Sequence, residues 1–312
     1  MIAHFARSTI LRVLLTVGIL AYLLTRFDPA DAARAIIGIR LPHLVAVMGL
    51  VALDRAMMIA RWYVLLRASG TPVTLKSSAW IFLVSSFVGS FLPAGVGGDA
   101  ARAYALSRRT AEGSEAVASV AVDRLAGMLS IVVLGVAGLL LWSGRLDDDI
   151  RSSVWWLAVF VGGGVAGAIW ADHVLRAIMP ASMGASGLGV RATRLASAVA
   201  RYRARPAALV TVMVLSFGVQ LLRILQAYLL GLGLGVDVAL GYYLVFMPVG
   251  LLMLLLPLSV SGFGLPQGVI VWLLRPVGVP DVQSFALSTL IVLTGLAGNL
   301  PGAWLYVRRQ KA

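Results

Sequence analysis

The sequence has no cysteine, only two lysines among its 26 basic residues, and three histidines that lie far apart. The absence of cysteine excludes disulfides and thiolate metal ligands. The separation of His4, His43 and His173 argues against a histidine metal cluster. No long polar segment is present that would form a soluble catalytic domain, and no ATP-binding motif is evident. We therefore predict no metal, no cofactor, no catalytic residue and no direct use of ATP.

Apolar residues make up 60% of the 312 residues, and the mean hydropathy is +0.94. A soluble protein of this size needs a far more polar surface. Backbone in a bilayer must satisfy its own hydrogen bonds, which favours helices. The composition therefore predicts an all-α polytopic membrane protein.

The net charge of +13 comes almost wholly from arginine, because Lys76 and Lys311 are the only lysines. A GC-rich genome explains this bias, and so does phosphate recognition, for which the arginine fork is suited; both explanations stay open. The basic residues lie mostly in short segments between apolar runs, where the positive-inside rule expects them. The charge therefore does not indicate nucleic-acid binding.

Six apolar runs approach or exceed the length of about 20 residues that a helix needs to cross a bilayer. They lie at residues 9–26, 42–66, 116–142, 153–171, 206–232 and 282–307. The first run contains Arg12 and precedes no small-residue cleavage pattern, so we interpret it as a retained helix and not as a signal peptide. Two shorter runs, 76–92 and 241–256, end in LPAGVGGDAAR and LPLSVSGFGLP.

The basic residues predict that both shorter runs form re-entrant broken-helix hairpins. With a cytoplasmic N-terminus and two hairpins, the inner segments carry 15 lysines and arginines and the outer segments carry six. A full crossing by the first short run would move the six-arginine segment 172–205 outside, against the positive-inside rule. The alternative is a crossing whose second half-helix lies in the interface. We expect a multi-pass protein of a bacterial inner membrane with both termini in the cytoplasm.

The order span, span, hairpin, span occurs twice with opposite orientation, which predicts an inverted-topology repeat. At an offset of about 164 residues, Leu92-Pro93 falls on Leu256-Pro257 and Gly98 falls on Gly262. The predicted repeats are residues 1–150 and 151–312 of one integrated membrane domain. A chance match of two glycine-containing loops is the alternative, because the aligned stretch is short.

The two breaks predict an anion site. Non-helical backbone at membrane depth is tolerated only inside protein or beside water. Helix N-termini after the breaks favour anions, and glycines let a phosphate approach the backbone. We expect the two ends to converge on one headgroup, with binding residues Pro93, Gly95, Gly97, Gly98 and Asp99 from the first break and Gly262, Gly264 and Gln267 from the second.

Charged residues within the spans extend this predicted site, because ionisable groups at membrane depth are expensive. They are Arg55 and Arg61 in the second span, Arg102 after the first break, Asp123 and Arg124 in the third span, and Arg223 further on. Asp54 and Arg61 share a helix face. Asp123 and Arg124 are adjacent and point apart, so each needs another partner, such as Arg102 or Asp99. Structural ion pairing, and snorkelling of Arg61 to the surface, are the alternatives. Gln220 and Asn299 are predicted to form interhelical hydrogen bonds.

Three segments resemble the flippase-like membrane family typified by the membrane region of lysylphosphatidylglycerol synthases. They are LPAGVGGDAARAYALSRR, ASVAVDRLAGML and LPLSVSGFGLPQG, and IARWYVLLRASG also fits the family. The resemblance extends from about residue 40 to residue 307. In bifunctional members a soluble domain attaches amino acids to phosphatidylglycerol, and the membrane region moves the product between leaflets. Because only the membrane region is matched, the resemblance implies lipid movement and not synthesis.

One departure concerns the second break. Relatives commonly carry an Arg-Glu pair after these glycines, where this sequence has Pro266 and Gln267. A charge-dependent role of the second break is therefore not expected here, and the substrate can differ from an aminoacylated lipid.

We expect a translocase for an anionic phospholipid or a polyprenyl-phosphate-linked lipid. One alternative is an intramembrane lipid-modifying enzyme, such as a glycosyltransferase that uses a lipid-linked sugar and the acid–base groups Asp54, Asp99 and Asp123. Another is a non-transporting partner of such an enzyme. Membrane lipids are the predicted partners, while an enzyme partner and homo-oligomers stay open.

Overall fold

A computed structural model describes residues 14, 16–26, 28–92, 97–109, 113–142, 148–178, 187–255 and 263–310. Residues 16–24 are helical and are called α1. The next helices are α2 (Pro29–Ile37), α3 (Leu41–Ala68), α4 (Leu75–Gly89), α5 (Gly97–Ser107), α6 (Gly113–Trp142) and α7 (Asp148–Ile169). The remaining helices are α8 (Ala171–Ile178), α9 (Gly187–Arg203), α10 (Pro206–Gly233), α11 (Leu240–Leu255), α12 (Leu265–Leu274), α13 (Asp281–Ala297) and α14 (Leu300–Gln310).

Five helical segments in this part of the chain are long and apolar enough to cross a membrane. They are Leu41–Ala68, Gly113–Trp142, Arg151–Ile169, Pro206–Gly233 and Asp281–Arg308, the last of which contains α13 and most of α14. These match five of the six predicted spans, so the helical, multi-pass membrane class is confirmed. The first predicted span, 9–26, extends outside the described residues.

Helices α4 and α11, which follow the long helices α3 and α10, are shorter than a typical membrane span. Helix α4 has 15 residues, about 22 Å at a rise of about 1.5 Å per residue, against a hydrocarbon thickness of about 30 Å. Its start is set by Thr74, whose hydroxyl accepts a hydrogen bond from the Ser77 N–H at 3.2 Å. An N-cap of this kind satisfies one of the backbone donors that a helix start leaves without a partner.

Helix α5 runs back along α4. At the joined ends, a Cβ on Gly89 would lie 2.5 Å from the Gly98 Cα, so only glycine permits this approach. At the far ends, the Arg109 guanidinium lies over the Trp80 ring at 5.5 Å. The chain therefore enters and leaves this hairpin at the same side of the molecule.

Helix α12 runs back along α11 in the same way. Ile270 packs against Gly250, and the Tyr242 hydroxyl donates a hydrogen bond to the Leu273 carbonyl. Tyr242 is fully buried in the main apolar core, to which α3, α6 and α10 to α13 contribute.

Helices α3 and α10 form an antiparallel pair along their full length. The Arg40 N–H, just before α3, donates to the Gly233 carbonyl at the end of α10. Two-thirds of the way along α3, Arg61 donates to the Ser216 hydroxyl in the first half of α10 at 3.2 Å. Residues further along α3 therefore contact residues nearer the start of α10, as antiparallel packing requires.

Four successive helices, α3 to α6, match four later helical segments in length. Helices α3 and α10 each have 28 residues, α4 and α11 have 15 and 16, and α5 and α12 have 11 and 10. Helix α6 has 30 residues and the segment Asp281–Arg308 has 28. Contacts between the sets also correspond. Gly138 of α6 packs against the backbone of Leu244 in α11, and Gly302 of α14 packs against that of Leu83 in α4.

Candidate functional site

A cavity of about 150 Å³ lies where α3, α4, α5, α6 and α10 meet. Seven of the predicted site residues line it, namely Arg61, Gly98, Asp99, Arg102, Asp123, Arg124 and Arg223. The other lining residues are Met58, Phe82, Ser85, Ser86, Gly127, Met128, Ile131 and Gln220. The hairpin α4–α5 thus brings residues of the first break against charges of the long spans.

Asp123 is the centre of the ionic network on this cavity. It is 2% exposed. Its carboxylate accepts from the Arg61 Nε at 2.7 Å and from the Arg102 Nη2 at 3.0 Å. The three side chains come from three different helices, so this carboxylate ties α3, α5 and α6 together. Arg61 is itself only 4% exposed, which excludes snorkelling to the surface.

Arg102 contacts two aromatic rings as well as carboxylates. Its guanidinium lies 5.0 Å from the Trp62 ring and 5.2 Å from the Phe82 ring, within cation–π range. It also donates to Asp99 at 3.0 Å. Its Nη1 is buried and has no hydrogen-bond partner among the described residues. A donor in this position is available to an acceptor that enters the cavity.

Arg124 pairs with Asp99 of α5, while Asp123 pairs with Arg61 and Arg102. The prediction that Asp123 and Arg124 find separate partners is therefore confirmed, and the two suggested partners, Arg102 and Asp99, are among them. The side chains of Arg124 and Asp99 are 26% and 27% exposed, in contrast to the buried Arg61. Arg124 thus reaches the open part of the cavity.

Asp54 organises a second group of arginines. It accepts from the Arg223 Nε at 3.0 Å and from the Arg55 Nη1 at 3.2 Å. Arg55 also donates to the Gly295 carbonyl at 2.9 Å. Asp54 and Arg61 both contact α10, which confirms that they share a face of α3.

A second cavity of about 230 Å³ lies among α3, α10, α11 and α13, on the other side of this group. Asp54, Arg55 and Arg223 line it, and Arg223 lines the first cavity as well. It is bordered by buried polar atoms that have no hydrogen-bond partner within the described ranges, namely Arg55 Nε, Gln226 Nε2 and Asn299 Oδ1. The Asn299 amide donates to the Ser90 hydroxyl at 2.9 Å, which confirms the predicted interhelical bond.

The lining of the first cavity carries a net positive charge. Four arginines and two aspartates line it, which is an excess of two positive charges. The first turn of α5 adds N–H groups without intrahelical partners and the positive end of the helix dipole. Gly98 belongs to this turn and lines the cavity. Arginine forks, a helix N-terminus and partial exclusion of water together suit a phosphate.

The described residues of the second break lie elsewhere. Gln267 is fully buried, and its Oε1 accepts from the Gly264 N–H at 2.7 Å. Gly264 has a φ of +98° and packs against Thr16 of α1. Neither residue lines either cavity. Pro93, Gly95 and Gly262 lie outside the described residues, and Gly97 is the buried first residue of α5.

Some cavity residues carried no sequence signal for function. Gln220 donates to the Gly127 carbonyl at 3.4 Å, as the interhelical prediction requires, but it also lines the first cavity. Trp62 and Phe82 are aromatic residues in apolar runs, which normally means core packing. Their role against Arg102 depends on helix contacts that hydropathy does not reveal.

Comparison with known proteins places the whole chain in one family. No curated protein sequence matches the chain. The sequence pattern of the lysylphosphatidylglycerol synthase TM region matches residues 9–302. The earlier resemblance is therefore confirmed over nearly the full length. The chain belongs to the family of the lysylphosphatidylglycerol synthase transmembrane region.

Proposed function

We propose that this protein is a flippase-like translocase for an anionic phospholipid or a polyprenyl-phosphate-linked lipid. The observation that carries the proposal is the first cavity, with its excess of two positive charges at the N-terminus of α5. Family membership supports lipid handling as the broader role. Ionisable groups at membrane depth commonly mark a substrate path.

The phosphate is held by two kinds of arginine. Arg61 and Arg102 are buried on Asp123 and form a rigid base. The side chains of Arg124 and Arg223 are about one-quarter exposed, so a phosphate that enters the cavity can reach both. Preorganised forks lose little entropy when they bind phosphate, because their partners already orient them.

The headgroup passes between the two cavities by way of Arg223. This residue lines both cavities and sits on the antiparallel pair α3–α10. We propose that the two helix sets are inverted repeats, residues 1–150 and 151–312, whose hairpins re-enter from opposite faces. Rocking of one repeat against the other then opens the cavities in turn. Both termini lie in the cytoplasm of a bacterial cell in this arrangement.

Lipid identification by mass spectrometry tests the proposal. Purified wild type is compared with Arg124→Ala and with the control Arg34→Ala, which removes an exposed i,i+3 pair far from the cavity. We expect one anionic lipid to be enriched on wild type and control and to be reduced about tenfold or more by Arg124→Ala, since a charge-assisted bond contributes about 1.5–3 kcal/mol. Lipid movement in vesicles must fall in parallel.

Other outcomes separate the alternatives. Lipid movement that persists in a folded Arg124→Ala protein contradicts the assignment of this site. Turnover of a lipid-linked donor by the pure protein favours an intramembrane enzyme. A stable complex with an enzyme, without lipid movement by this chain alone, favours a non-transporting partner.

A further inference from the structure

We infer that the first cavity selects a headgroup that carries phosphate and hydroxyl groups but no ammonium group. The inference rests on the proposed function, because it names the substrate class of the same site. It concerns selection at binding, which is measured separately from movement across the bilayer.

The carboxylates near the cavity are already engaged. In the part of the chain that the structure describes, Asp123 contacts Arg61 and Arg102 within 3.0 Å. Asp99 likewise contacts two arginines, Arg102 and Arg124. An incoming ammonium would have to displace a guanidinium from one of these aspartates to obtain a counter-charge.

Asp54, at the boundary of the two cavities, is engaged in the same way. It contacts Arg55 and Arg223 at 3.2 and 3.0 Å. Neither cavity therefore has a lining carboxylate, among the described residues, that lacks an arginine contact. Freeing one would strand a buried or half-buried arginine, and breaking such pairs is strongly unfavourable.

The net charge of the cavity lining also disfavours an ammonium group. The lining of the first cavity has two more positive than negative charges. A phosphate reduces this excess, whereas an ammonium adds to it. Like charges at about 4 Å repel by about 4 kcal/mol at an effective dielectric constant near 20. A lysine-bearing headgroup, the kind in the family's name, therefore lacks a complementary group here.

Gln220 accounts for the inferred preference for a hydroxyl group on the headgroup. It is 2% exposed and lines the cavity, and its buried Oε1 has no hydrogen-bond partner in the part of the chain that the structure describes. The Nε2 is directed to the Gly127 carbonyl, which sets the amide orientation. A buried acceptor without a partner is costly until a donor reaches it. A neutral hydroxyl on the headgroup provides that donor without adding charge.

Equilibrium binding to the purified protein tests this selection with two probes that differ only in the lysyl group, phosphatidylglycerol and lysylphosphatidylglycerol. Native mass spectrometry in competition gives the ratio directly. We expect phosphatidylglycerol to be preferred by about tenfold or more, as the like-charge repulsion requires. Equal binding, a preference for the lysyl lipid, or binding of neither probe overturns the inference.

The variant Gln220→Glu sharpens the test, because it adds a carboxylate of the same size to the lining. We expect the ratio of lysylphosphatidylglycerol to phosphatidylglycerol binding to rise about tenfold. Gln220→Met removes the acceptor without a charge and should weaken phosphatidylglycerol binding without any gain for the lysyl lipid. Gln283→Glu, outside both cavities, is the charge control. An unchanged ratio in a folded Gln220→Glu protein contradicts the role of Gln220.

Binding and movement are scored separately. If the protein selects phosphatidylglycerol over the lysyl lipid but moves neither across a vesicle bilayer, the inference stands and the translocase proposal fails. If it moves lipid but binds both probes equally, the translocase proposal stands and the inference fails.

Discussion

The hairpins α4–α5 and α11–α12 have the same helix order and similar lengths, but their second helices begin in different surroundings. In the first hairpin, α5 begins with Gly97, Gly98 and Asp99, and the last two line a charged cavity. In the second, α12 begins after Gly264, whose N–H is bonded to Gln267 within the same turn. The start of α5 lines the charged cavity, whereas the Gly264 N–H at the start of α12 is bonded to a side chain of the same turn.

The two helix starts differ in the charges that surround them. Both breaks have a helix start with donor N–H groups. In the described part of the chain, only the first also faces arginines from other helices, with Arg61 and Arg223 as examples. The surrounding charges, and not the glycines, distinguish the two.

The largest expected effect concerns the buried carboxylate that Arg102 of the first hairpin contacts. Asp123→Asn leaves Arg61 and Arg102 without their shared carboxylate. Loss of one partner from a buried ion pair costs about 3–5 kcal/mol. We expect this loss in the free energy of unfolding, measured by denaturant titration in detergent. Asp148→Asn, at an exposed pair with Arg151, is the control and should change it by about 1 kcal/mol or less. Equal stability of both variants would show that the network is not structural.

Two glycine substitutions are expected to separate an effect on lipid binding from an effect on the free energy of unfolding. Gly264→Ala forces a side chain onto a φ of +98° and places a Cβ 3.0 Å from the Thr16 Cα. We expect a loss of about 1–3 kcal/mol in the free energy of unfolding, with lipid selectivity retained in the folded fraction.

The counterpart Gly98→Ala has helical backbone, and its Cβ would lie no closer than 3.4 Å to another atom, the Ser85 carbonyl oxygen. We expect stability within about 1 kcal/mol of wild type. Lipid binding should weaken, because the added methyl keeps a phosphate from the backbone. Reduced lipid binding by both variants, or by neither, would remove the contrast between the hairpins.

The smallest expected effect is at Gln267. Gln267→Met keeps the volume but removes the acceptor of the Gly264 N–H. Because the Gln267 Nε2 is itself buried without a partner, the net loss should be about 1 kcal/mol. Thermal unfolding measures it, and lipid binding should not change. A loss of lipid binding without a loss of stability would assign Gln267 to the headgroup site instead.

Much of the site was predictable because charge in an apolar run is conspicuous. Placing a charged side chain at membrane depth costs free energy, which singled out Asp123, Arg124 and Arg223 in the sequence. All three line the first cavity. The separate partners of Asp123 and Arg124 followed from their adjacency on one helix. Gln267 was grouped with the same site by its position after a break, a local pattern that says nothing about which helices face it.

Hydropathy and the spacing of charged residues determined by themselves that the chain lies in a membrane, where its spans run and which side chains need partners. Only the tertiary structure decided the pairs, because Arg61 and Asp123 are 62 residues apart and Asp54 and Arg223 are 169 apart. Such contacts depend on which helix faces meet. The antiparallel packing of α3 on α10, and the return of α5 along α4, bring those faces together.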